Sequence, residues 1–502
     1  MTMTAGAADP CVAEILGDPA FARLKGLVIE TTGMAFYRDK DEDLARILSA
    51  RMGCLGLSTC FEYLVQLQNP ATPGAEMDEL VAELTIGETY FFRHKEQFDA
   101  LREVILPDVI ERNTPFKRLR IWSAGCATGP EPYSIAIMLE REFGRLIEGW
   151  NVTILGTDIN QKFLNRARDG RYDEWAFRVM PETLRTQCFE PVGRQWQIRP
   201  QFKRFVRFQY HNLIANPFPS IIDNIAGFDV IICRNVIIYF SKETVEALVP
   251  CFRETLTEGG WLIMGHSEPN QDLFRDFRTV NTPGAVLYRR DDGHSRRNAA
   301  ARPSPPPPPP MLPASSVLPK LAKLTGTAVP PPPPPLLPPR PSSLGSAKPK
   351  PRAKIKAQPL FSPQPDSPPV ADGMEEMRRL ADSGQWEAAT AACDKAITAT
   401  PLNPVAHFYR AMLFEQAGDL EECEKSLRRA IYLDRRFVLP HYHLGLFLSR
   451  RDDPVGARRS FRNVLTLLEC AADDQLVVQG DSITAGKMRE AVAMHLKLVG
   501  EA

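Results

Sequence analysis

Two glycines and a carboxylate form a candidate ligand site in this chain of 502 residues. Gly125 and Gly129 separate two apolar segments. Asp158 ends a third apolar segment. Glycines let the backbone approach a ligand where a Cβ atom would collide, and a carboxylate beside such a loop can accept hydrogen bonds from two ribose hydroxyls. The pattern therefore predicts a nucleoside site.

A strand, a loop and a helix must position these residues. Residues 119–124 predict a strand, and residues 131–146 predict a helix with Pro132 near its start, where a missing N–H costs nothing. The next predicted strand, 152–157, ends at Asp158. This order opens a nucleotide-binding α/β unit, whose ligand lies at the carboxyl ends of the strands. Further strands are predicted near 204–209, 228–233, 260–265 and 285–290, and further helices near 160–168 and 241–256.

Two common nucleotide fingerprints do not match this loop. A dinucleotide site requires G-x-G-x-x-G, but three residues separate Gly125 from Gly129. A phosphate-binding Walker loop requires Gly-Lys-Ser/Thr, which the loop lacks. The predicted ligand is therefore a nucleoside without a pyrophosphate, and S-adenosyl-L-methionine (SAM) fits this description best.

Six sequence blocks in a fixed order carry a family resemblance. They are GETYFFR at 87–93, WSAGCATGPEPYS at 122–134, GTDIN at 156–160, HNL at 211–213, FDVIICRNVIIYF at 228–240 and GHSE at 265–268. Together, over roughly residues 15–290, they resemble the CheR-type chemotaxis receptor methyltransferases. The resemblance implies a Rossmann-like α/β SAM-dependent methyltransferase domain. It also implies transfer of a methyl group from SAM to receptor glutamate side chains, which leaves S-adenosyl-L-homocysteine.

The resemblance also implies roles for individual residues. The cofactor-binding positions would be Thr89, Arg93, Glu131, Asp158, Asn212, Leu213, Arg234 and Asn235. The catalytic candidates are Arg93, which would also orient the substrate carboxylate, and Tyr239, which would lie near the transferred methyl group. The family usually has asparagine where this chain has Gly87, so a side-chain hydrogen bond to the cofactor is expected to be lost. No metal site is predicted.

The implied reaction needs no general base and no activated nucleophile from the enzyme. A glutamate carboxylate is ionised at neutral pH, with a reference pKa of about 4.3, and can attack a sulfonium methyl group without a general base. The enzyme must then supply proximity and alignment. Accordingly, no Ser-His-Asp or Cys-His set stands out, and Arg93 is the best candidate for a bidentate pair with the substrate.

Bulk properties favour a cytoplasmic protein. The formal net charge is zero, so no overall charge favours nucleic acid, which is not an expected partner. The ten cysteines form no C-x-x-C pair and suit a reducing cytosol. The N-terminus lacks the features of a signal peptide, and no apolar stretch of about 18 residues predicts a membrane span.

Composition and periodicity divide the chain into five regions. Gly384 and Gly418 lie 34 residues apart, and so do Ala396 and Ala430, which is typical of tetratricopeptide repeats. The predicted regions begin with an N-terminal helical domain at 1–85 and the methyltransferase domain at 86–290, which has a small β insert at about 185–210. A proline-rich, basic, disordered linker follows at 291–370. Three repeats then form a helical solenoid at 371–471, and a capping helix with the C-terminus completes the chain at 472–502.

The expected partners follow from these regions. The substrate would be the cytoplasmic helical domain of a methyl-accepting chemoreceptor, with Arg46 and Arg51 as candidates to face its acidic surface. The repeats would hold an unknown protein or peptide in a concave groove, and the basic linker predicts at most peripheral proximity to membranes. The alternative is a signalling scaffold whose repeats bind partners while methyl transfer is weak or vestigial. The presence of Arg93, Asp158 and Asn235 favours the enzyme.

Overall fold

Five α-helices begin the fold. The computed structural model describes residues 11–69, 75–268, 270–293, 370–479 and 483–500, so the predicted linker lies largely outside the described residues. The helices of the N-terminal region are α1 (Val12–Gly17), α2 (Phe21–Thr32), α3 (Asp41–Leu55), α4 (Cys60–Leu67) and α5 (Ala75–Leu84). Leu24, Val28, Leu44 and Leu48 recur at helical spacing and are fully buried in their common core.

One of the two arginines predicted to face a receptor forms an ion pair inside the N-terminal region instead. The Arg51 guanidinium is 2.7 Å from the Glu76 carboxylate, and its side chain is only 13% exposed. Glu76 also accepts a hydrogen bond from the Tyr63 hydroxyl. Arg51 therefore braces α3 against α5, and the prediction that it contacts a receptor is wrong. Arg46 is exposed and pairs with Asp43.

Two sheets contain the strands of the described residues. The strands are β1 (Arg118–Ala124), β2 (Asn151–Asp158), β3 (Arg171–Tyr172), β4 (Phe189–Val192), β5 (Gln195–Ile198), β6 (Val206–Tyr210), β7 (Phe228–Cys233), β8 (Leu256–Met264), β9 (Arg278–Thr282) and β10 (Ala285–Arg289). Seven form one sheet in the order β6-β2-β1-β7-β8-β10-β9, and three form a small sheet in the order β3-β5-β4. In the larger sheet β6, β2, β1, β7 and β8 are parallel, while β10 and β9 are antiparallel.

The larger sheet confirms the predicted α/β fold class. All six residues of β7 are buried, as expected for an apolar strand that is covered on both faces. Each of the six strands predicted from apolar runs is present, with ends that differ by a few residues. β9 was not predicted, because its sequence RTVNT is largely polar and lies at the edge of the sheet.

The helices of the catalytic region pack on this sheet. They are α6 (Lys95–Ala100), α7 (Leu106–Asn113), α8 (Pro130–Met138), α9 (Gln161–Asp169), α10 (Glu182–Cys188), α11 (Pro200–Lys203) and α12 (Lys242–Thr255). The Asn160 side chain caps α9, and Ser241 caps α12. These caps place the helix starts at the carboxyl ends of β2 and β7, where the predicted site lies.

Paired helices form the C-terminal region. They are α13 (Val370–Asp382), α14 (Trp386–Ala399), α15 (Pro404–Ala417), α16 (Leu420–Leu433), α17 (Val438–Arg450), α18 (Pro454–Leu468) and α19 (Ala485–Leu498). Ala389, Cys423 and Ala457 are fully buried at equivalent positions in the second helix of each pair. Small residues there allow the close packing that the 34-residue period predicted, so the tetratricopeptide organisation is confirmed. Among the described helices, none combines the length and apolarity of a membrane span.

Candidate functional site

Neighbouring strands bring the predicted site residues together. β1 lies between β2 and β7, and Ala124 at its end pairs with Thr157 of β2 and Cys233 of β7. Gly125 and Arg234 directly follow β1 and β7, and Asp158 is the last residue of β2. The site therefore forms at the carboxyl edge of the parallel sheet, where open α/β folds bind ligands.

The loop after β1 has a tightly constrained backbone. Gly125 has a φ of 75°, and Gly129 a φ of 93°. A Cβ atom on Gly125 would lie 2.3 Å from a methyl group of Val236, so the loop cannot accept a larger residue there without moving. The N–H groups of Gly125 and Cys126 both donate to the carbonyl of Thr157. These bonds fix the loop beside the end of β2.

Asp158 anchors this loop from the end of β2. Its carboxylate accepts the N–H of Ala127 at 2.9 Å and the N–H of Asn160 at 2.8 Å. The residue is 9% exposed, and burial raises the pKa of its carboxyl to about 6, although three backbone N–H groups oppose the shift. Each carboxylate oxygen has two lone pairs, so both retain capacity for the ribose hydroxyls of the predicted role.

Glu131 and Arg234 form a buried ion pair. The Nε atom of Arg234 lies 2.7 Å from Glu131, and the two side chains are 4% and 12% exposed, respectively. The Ser123 hydroxyl also donates to Glu131. Arg234 donates further to the carbonyl of Arg93 and to the side chain of Gln97. The pair thus ties the loop that contains Arg93 to the end of β7.

Asn235 presents an unpartnered acceptor. Its backbone has a φ of 59°, and its N–H and that of Val236 donate to the Glu268 carboxylate at 3.2 and 3.1 Å. Its side-chain Oδ1 atom is buried and has no hydrogen-bond partner among the residues that the structure describes. A buried orphan acceptor is costly unless a ligand satisfies it. An ammonium or adenine amino group of SAM fits this need.

Asn212 is engaged within the protein. Its amide donates to the carbonyl of Thr31 at 2.7 Å, and its Oδ1 atom accepts the N–H of Ile214 at 2.9 Å. These bonds join the end of α2 to the segment after β6. Leu213 is half-buried against the apolar cluster around Trp122. Of these two residues, Leu213 therefore offers the apolar surface for the predicted contact with adenine.

Arg93 lies close enough to Tyr239 for its positive charge to act on the tyrosine hydroxyl. Burial raises the pKa of the Tyr239 hydroxyl, and the positive charge of Arg93 opposes this shift. Arg93 donates to the carbonyl of Glu88 at 2.6 Å, which holds the loop that also contains the half-buried Thr89. Tyr239 packs edge-to-face on Phe36, with ring centroids 5.9 Å apart. The N-terminal region therefore forms one wall of the site.

Comparison with known proteins agrees with this geometry. The family model for the CheR methyltransferase, SAM binding domain, matches residues 87–286. A chemotaxis protein methyltransferase of Borreliella burgdorferi is 34% identical over 250 residues, which cover 49% of this chain and 87% of that protein. One of Rhizobium etli, called probable, is 38% identical over 226 residues and covers 44% and 81%. The chain belongs to the CheR methyltransferase family.

A longer match extends beyond the catalytic domain. The probable biofilm formation methyltransferase WspC of Pseudomonas aeruginosa is 28% identical over 416 residues, which cover 83% of this chain and 91% of that protein. The cofactor of this CheR methyltransferase is SAM, in agreement with the matched SAM binding domain and with the orphan acceptor on Asn235. In the described part of the chain, no cluster of three His, Cys, Asp or Glu side chains is arranged to hold a metal ion.

The space beside Gly87 is filled by a residue of α9. A Cβ atom on Gly87 would lie 2.6 Å from the tip of the Phe163 ring. The ring therefore occupies space that an asparagine side chain at this position would require. The sequence does not reveal this contact, because the two residues are distant along the chain.

Sequence reasoning also missed Glu268 and Gln97. Glu268 lies in the block GHSE and accepts three backbone N–H groups around the end of β7, although burial raises the pKa of its carboxyl. Gln97 accepts from Arg234 and donates to the carbonyl of Met264. The GHSE block was a signal for Glu268, whereas nothing in the sequence distinguished Gln97.

Proposed function

We propose that this CheR methyltransferase is a protein-glutamate O-methyltransferase. It moves the methyl group of SAM to glutamate side chains in the cytoplasmic helical domain of a methyl-accepting chemoreceptor, for receptor adaptation. The carboxylate oxygen forms a bond to the methyl carbon as the carbon–sulfur bond breaks. The negative carboxylate and the positive sulfonium become a neutral ester and a neutral thioether, so no proton is transferred.

The observation that supports this proposal most directly is the position of Arg93. Arg93 is half-buried, its charge acts on the Tyr239 hydroxyl, and its carbonyl accepts a hydrogen bond from Arg234 at the end of β7. A guanidinium has five N–H donors, and the Glu88 carbonyl accepts from one nitrogen of Arg93. The remaining donors can form a bidentate pair with a substrate carboxylate. A cation there selects an acidic side chain over a neutral or basic one.

The proposed site residues have distinct roles. Asp158 accepts the ribose hydroxyls, Asn235 receives a cofactor donor, and Leu213 contacts the adenine. Thr89 and Asn212 shape the two loops that close over the cofactor. The buried pair of Glu131 and Arg234 holds these loops and, as proposed from the family resemblance, reaches the cofactor as well. Arg93 and Tyr239 orient the carboxylate and the methyl group.

A second proposal concerns the pathway. The match to WspC covers 83% of this chain, and that relative's name refers to biofilm formation. We propose that the receptor modified by this protein belongs either to a biofilm-formation pathway or to flagellar chemotaxis. In both cases the substrate domain is cytoplasmic, and the enzyme is therefore proposed to work in the cytoplasm.

A radiolabel experiment tests the chemistry. The full chain is incubated with methyl-tritiated SAM and the purified cytoplasmic domain of a chemoreceptor, and the labelled protein is then treated with mild alkali. A glutamate methyl ester releases volatile tritiated methanol, whereas methylated nitrogen keeps its label. Release of methanol supports the proposal. Label that resists alkali, or turnover that never exceeds one methyl group per enzyme molecule, would contradict it and favour the scaffold.

A further inference from the structure

The loop between β6 and β7 contains isoleucines that are buried against the repeat helices as well as against their own domain. Ile221, Ile222 and Ala226 are 1%, 3% and 1% exposed. They belong to the same apolar cluster as the repeat helices, together with Met377, Phe408 and Leu444. The repeat domain therefore covers this loop of the methyltransferase domain, here called the docking loop (residues 220–227).

The first helix of each repeat contributes to this contact. In α13, Asp382 accepts the N–H of Ile221 at 2.7 Å. In α15, the Gln416 amide donates to the Asn224 side chain at 2.9 Å. In α17, Tyr442 packs against the apolar cluster that includes Ile221 and Ile222, and burial together with the charge of Asp223 raises the pKa of its hydroxyl. One short segment of chain thus crosses three successive repeats, and such solenoids bind ligands across successive repeats on their concave face.

A tryptophan closes one end of the contact. Trp386, at the start of α14, packs so closely on Gly227 that a Cβ atom there would be 2.1 Å from the indole ring. The guanidinium of Arg118 lies over the same ring, 4.9 Å from its centroid. Leu420, one repeat later at the position equivalent to Trp386, is 48% exposed. Trp386 is half-buried, and Gly227 and Arg118, which lie against its ring, both belong to the methyltransferase domain.

The contact involves the amino ends of the strands. Arg118 and Asn151 are the first residues of β1 and β2, and Gly227 directly precedes β7. The Asn151 amide donates to the carbonyl of Gln416 at 3.3 Å. Burial opposes ionisation of Glu415, but Arg450, His443 and Arg207 of edge strand β6 outweigh it and lower the pKa of that carboxyl. Charged and polar groups thus complement each other around the apolar centre.

We infer that the repeat domain is an intramolecular partner of its own methyltransferase domain, with the docking loop held on its ligand-binding face. Another protein or peptide can bind this face only by displacing the docking loop. Because the docking loop continues the segment that begins at Asn212 and Leu213, docking also steadies the adenine side of the cofactor pocket. The carboxyl edge of the sheet stays open to a receptor.

Cleavage of the linker tests the docking. A protease recognition sequence is inserted within residues 302–367 of the full chain, and the cleaved protein is analysed by size-exclusion chromatography with light scattering. We expect the two parts to elute together with the mass of one chain. Separation of the parts, or a particle with the mass of two chains, would overturn the inference of an intramolecular partner.

Variants on both sides of the contact show whether this face is responsible. Trp386→Ala on the repeat side and Ile222→Asp on the loop side should each cause the cleaved parts to separate. Tyr432→Ala is the matched control, because Tyr432 is 70% exposed on α16 and should leave the parts together. Thermal unfolding of each variant distinguishes separation from misfolding. If both variants fold and neither separates, the assigned face is wrong.

A titration tests the effect on the cofactor pocket. S-adenosylhomocysteine is titrated into the uncleaved chain, either unmodified or with Trp386→Ala, in a calorimeter. Loss of docking should weaken binding by about threefold or more, a coupling of the size that packed contacts commonly carry. Equal affinities in the presence of normal folding would overturn the coupling to the cofactor pocket.

Discussion

The two edges of the parallel sheet are constructed in opposite ways. At the carboxyl edge, loops after β1, β2 and β7 carry charged and amide side chains, and the Asn235 acceptor has no partner within the described part of the chain. At the amino edge, the docking loop buries Ile221 and Ile222 almost completely against repeat helices. One edge retains polar capacity for a ligand, and the other is filled by the same chain. The polar carboxyl edge is therefore suited to binding a ligand, and the apolar amino edge is suited to packing against the repeat domain.

The largest effect is expected at the carboxyl edge. Asp158→Ala removes the acceptor for two ribose hydroxyls and the anchor of the glycine loop, so affinity for S-adenosylhomocysteine should fall at least about 100-fold, since each hydrogen bond to a charged group contributes roughly 1.5–3 kcal/mol. Isothermal titration calorimetry measures the change. Asp272→Ala alters an exposed carboxylate outside the site and should bind normally. Tight binding by the Asp158→Ala variant would show that Asp158 does not bind the ribose hydroxyls.

At the amino edge the corresponding effect is on stability. Ile222→Ala leaves a cavity between the docking loop and the repeats, and it should lower the free energy of unfolding by about 2–4 kcal/mol, as is typical of buried isoleucines. Urea unfolding followed by fluorescence measures the change. Ile238→Ala is a control, because that side chain is 47% exposed. A loss below about 0.5 kcal/mol, the usual range at surface positions, would show that the loop is not buried in solution.

Arg93→Lys separates charge from geometry. Lysine keeps the positive charge but cannot form a bidentate pair, so kcat/KM for the receptor domain should fall about tenfold or more. Steady-state methyl transfer with the receptor fragment varied gives this value. Lys95→Arg, in an exposed position nearby, is the matched control. An unchanged kcat/KM for Arg93→Lys would mean that Arg93 does not orient the substrate carboxylate.

The pKa of Asp158 predicts how binding depends on pH. Because burial raises this pKa from 3.8 to about 6, S-adenosylhomocysteine should bind with constant affinity above pH 7. Below pH 6 the protonated carboxyl loses acceptor strength, and Kd should rise, approaching about tenfold per pH unit. The folded state holds this proton more tightly than the unfolded chain, so Asp158 does not favour unfolding as the pH falls. An Asp158→Asn variant should bind weakly with a flat pH profile, and an equally flat wild-type profile would contradict the prediction.

The smallest effect is expected at Gly87. Gly87→Asn introduces the residue that the family resemblance predicts at this position, but the new side chain meets the Phe163 ring, so SAM affinity should fall severalfold instead of rising. The double variant Gly87→Asn with Phe163→Ala makes room for the asparagine and should recover affinity relative to the single variant. Calorimetric titration compares both with Phe163→Ala alone. Stronger binding by Gly87→Asn would show that Phe163 moves aside easily.

Strands and helices were predicted where one local pattern dominated. The apolar run at Phe228–Cys233 indicated a buried strand, and the 34-residue period indicated helix pairs. The two-residue strand β3 was not predicted, because so short a segment carries no periodicity. The assignment of Arg51 to a receptor surface failed because an arginine's partner depends on the helix packed against it.

The position of the residues at the carboxyl edge could be predicted from the sequence. Family blocks and strand ends placed Asp158, Arg234 and Asn235 at one edge of a parallel sheet, because the ends of parallel strands meet. The folded chain was needed to show that Arg234 pairs with Glu131, that Phe163 fills the space at Gly87, and that the repeats hold the docking loop. Each of these contacts joins residues far apart along the chain, and local patterns carry no information about such distances.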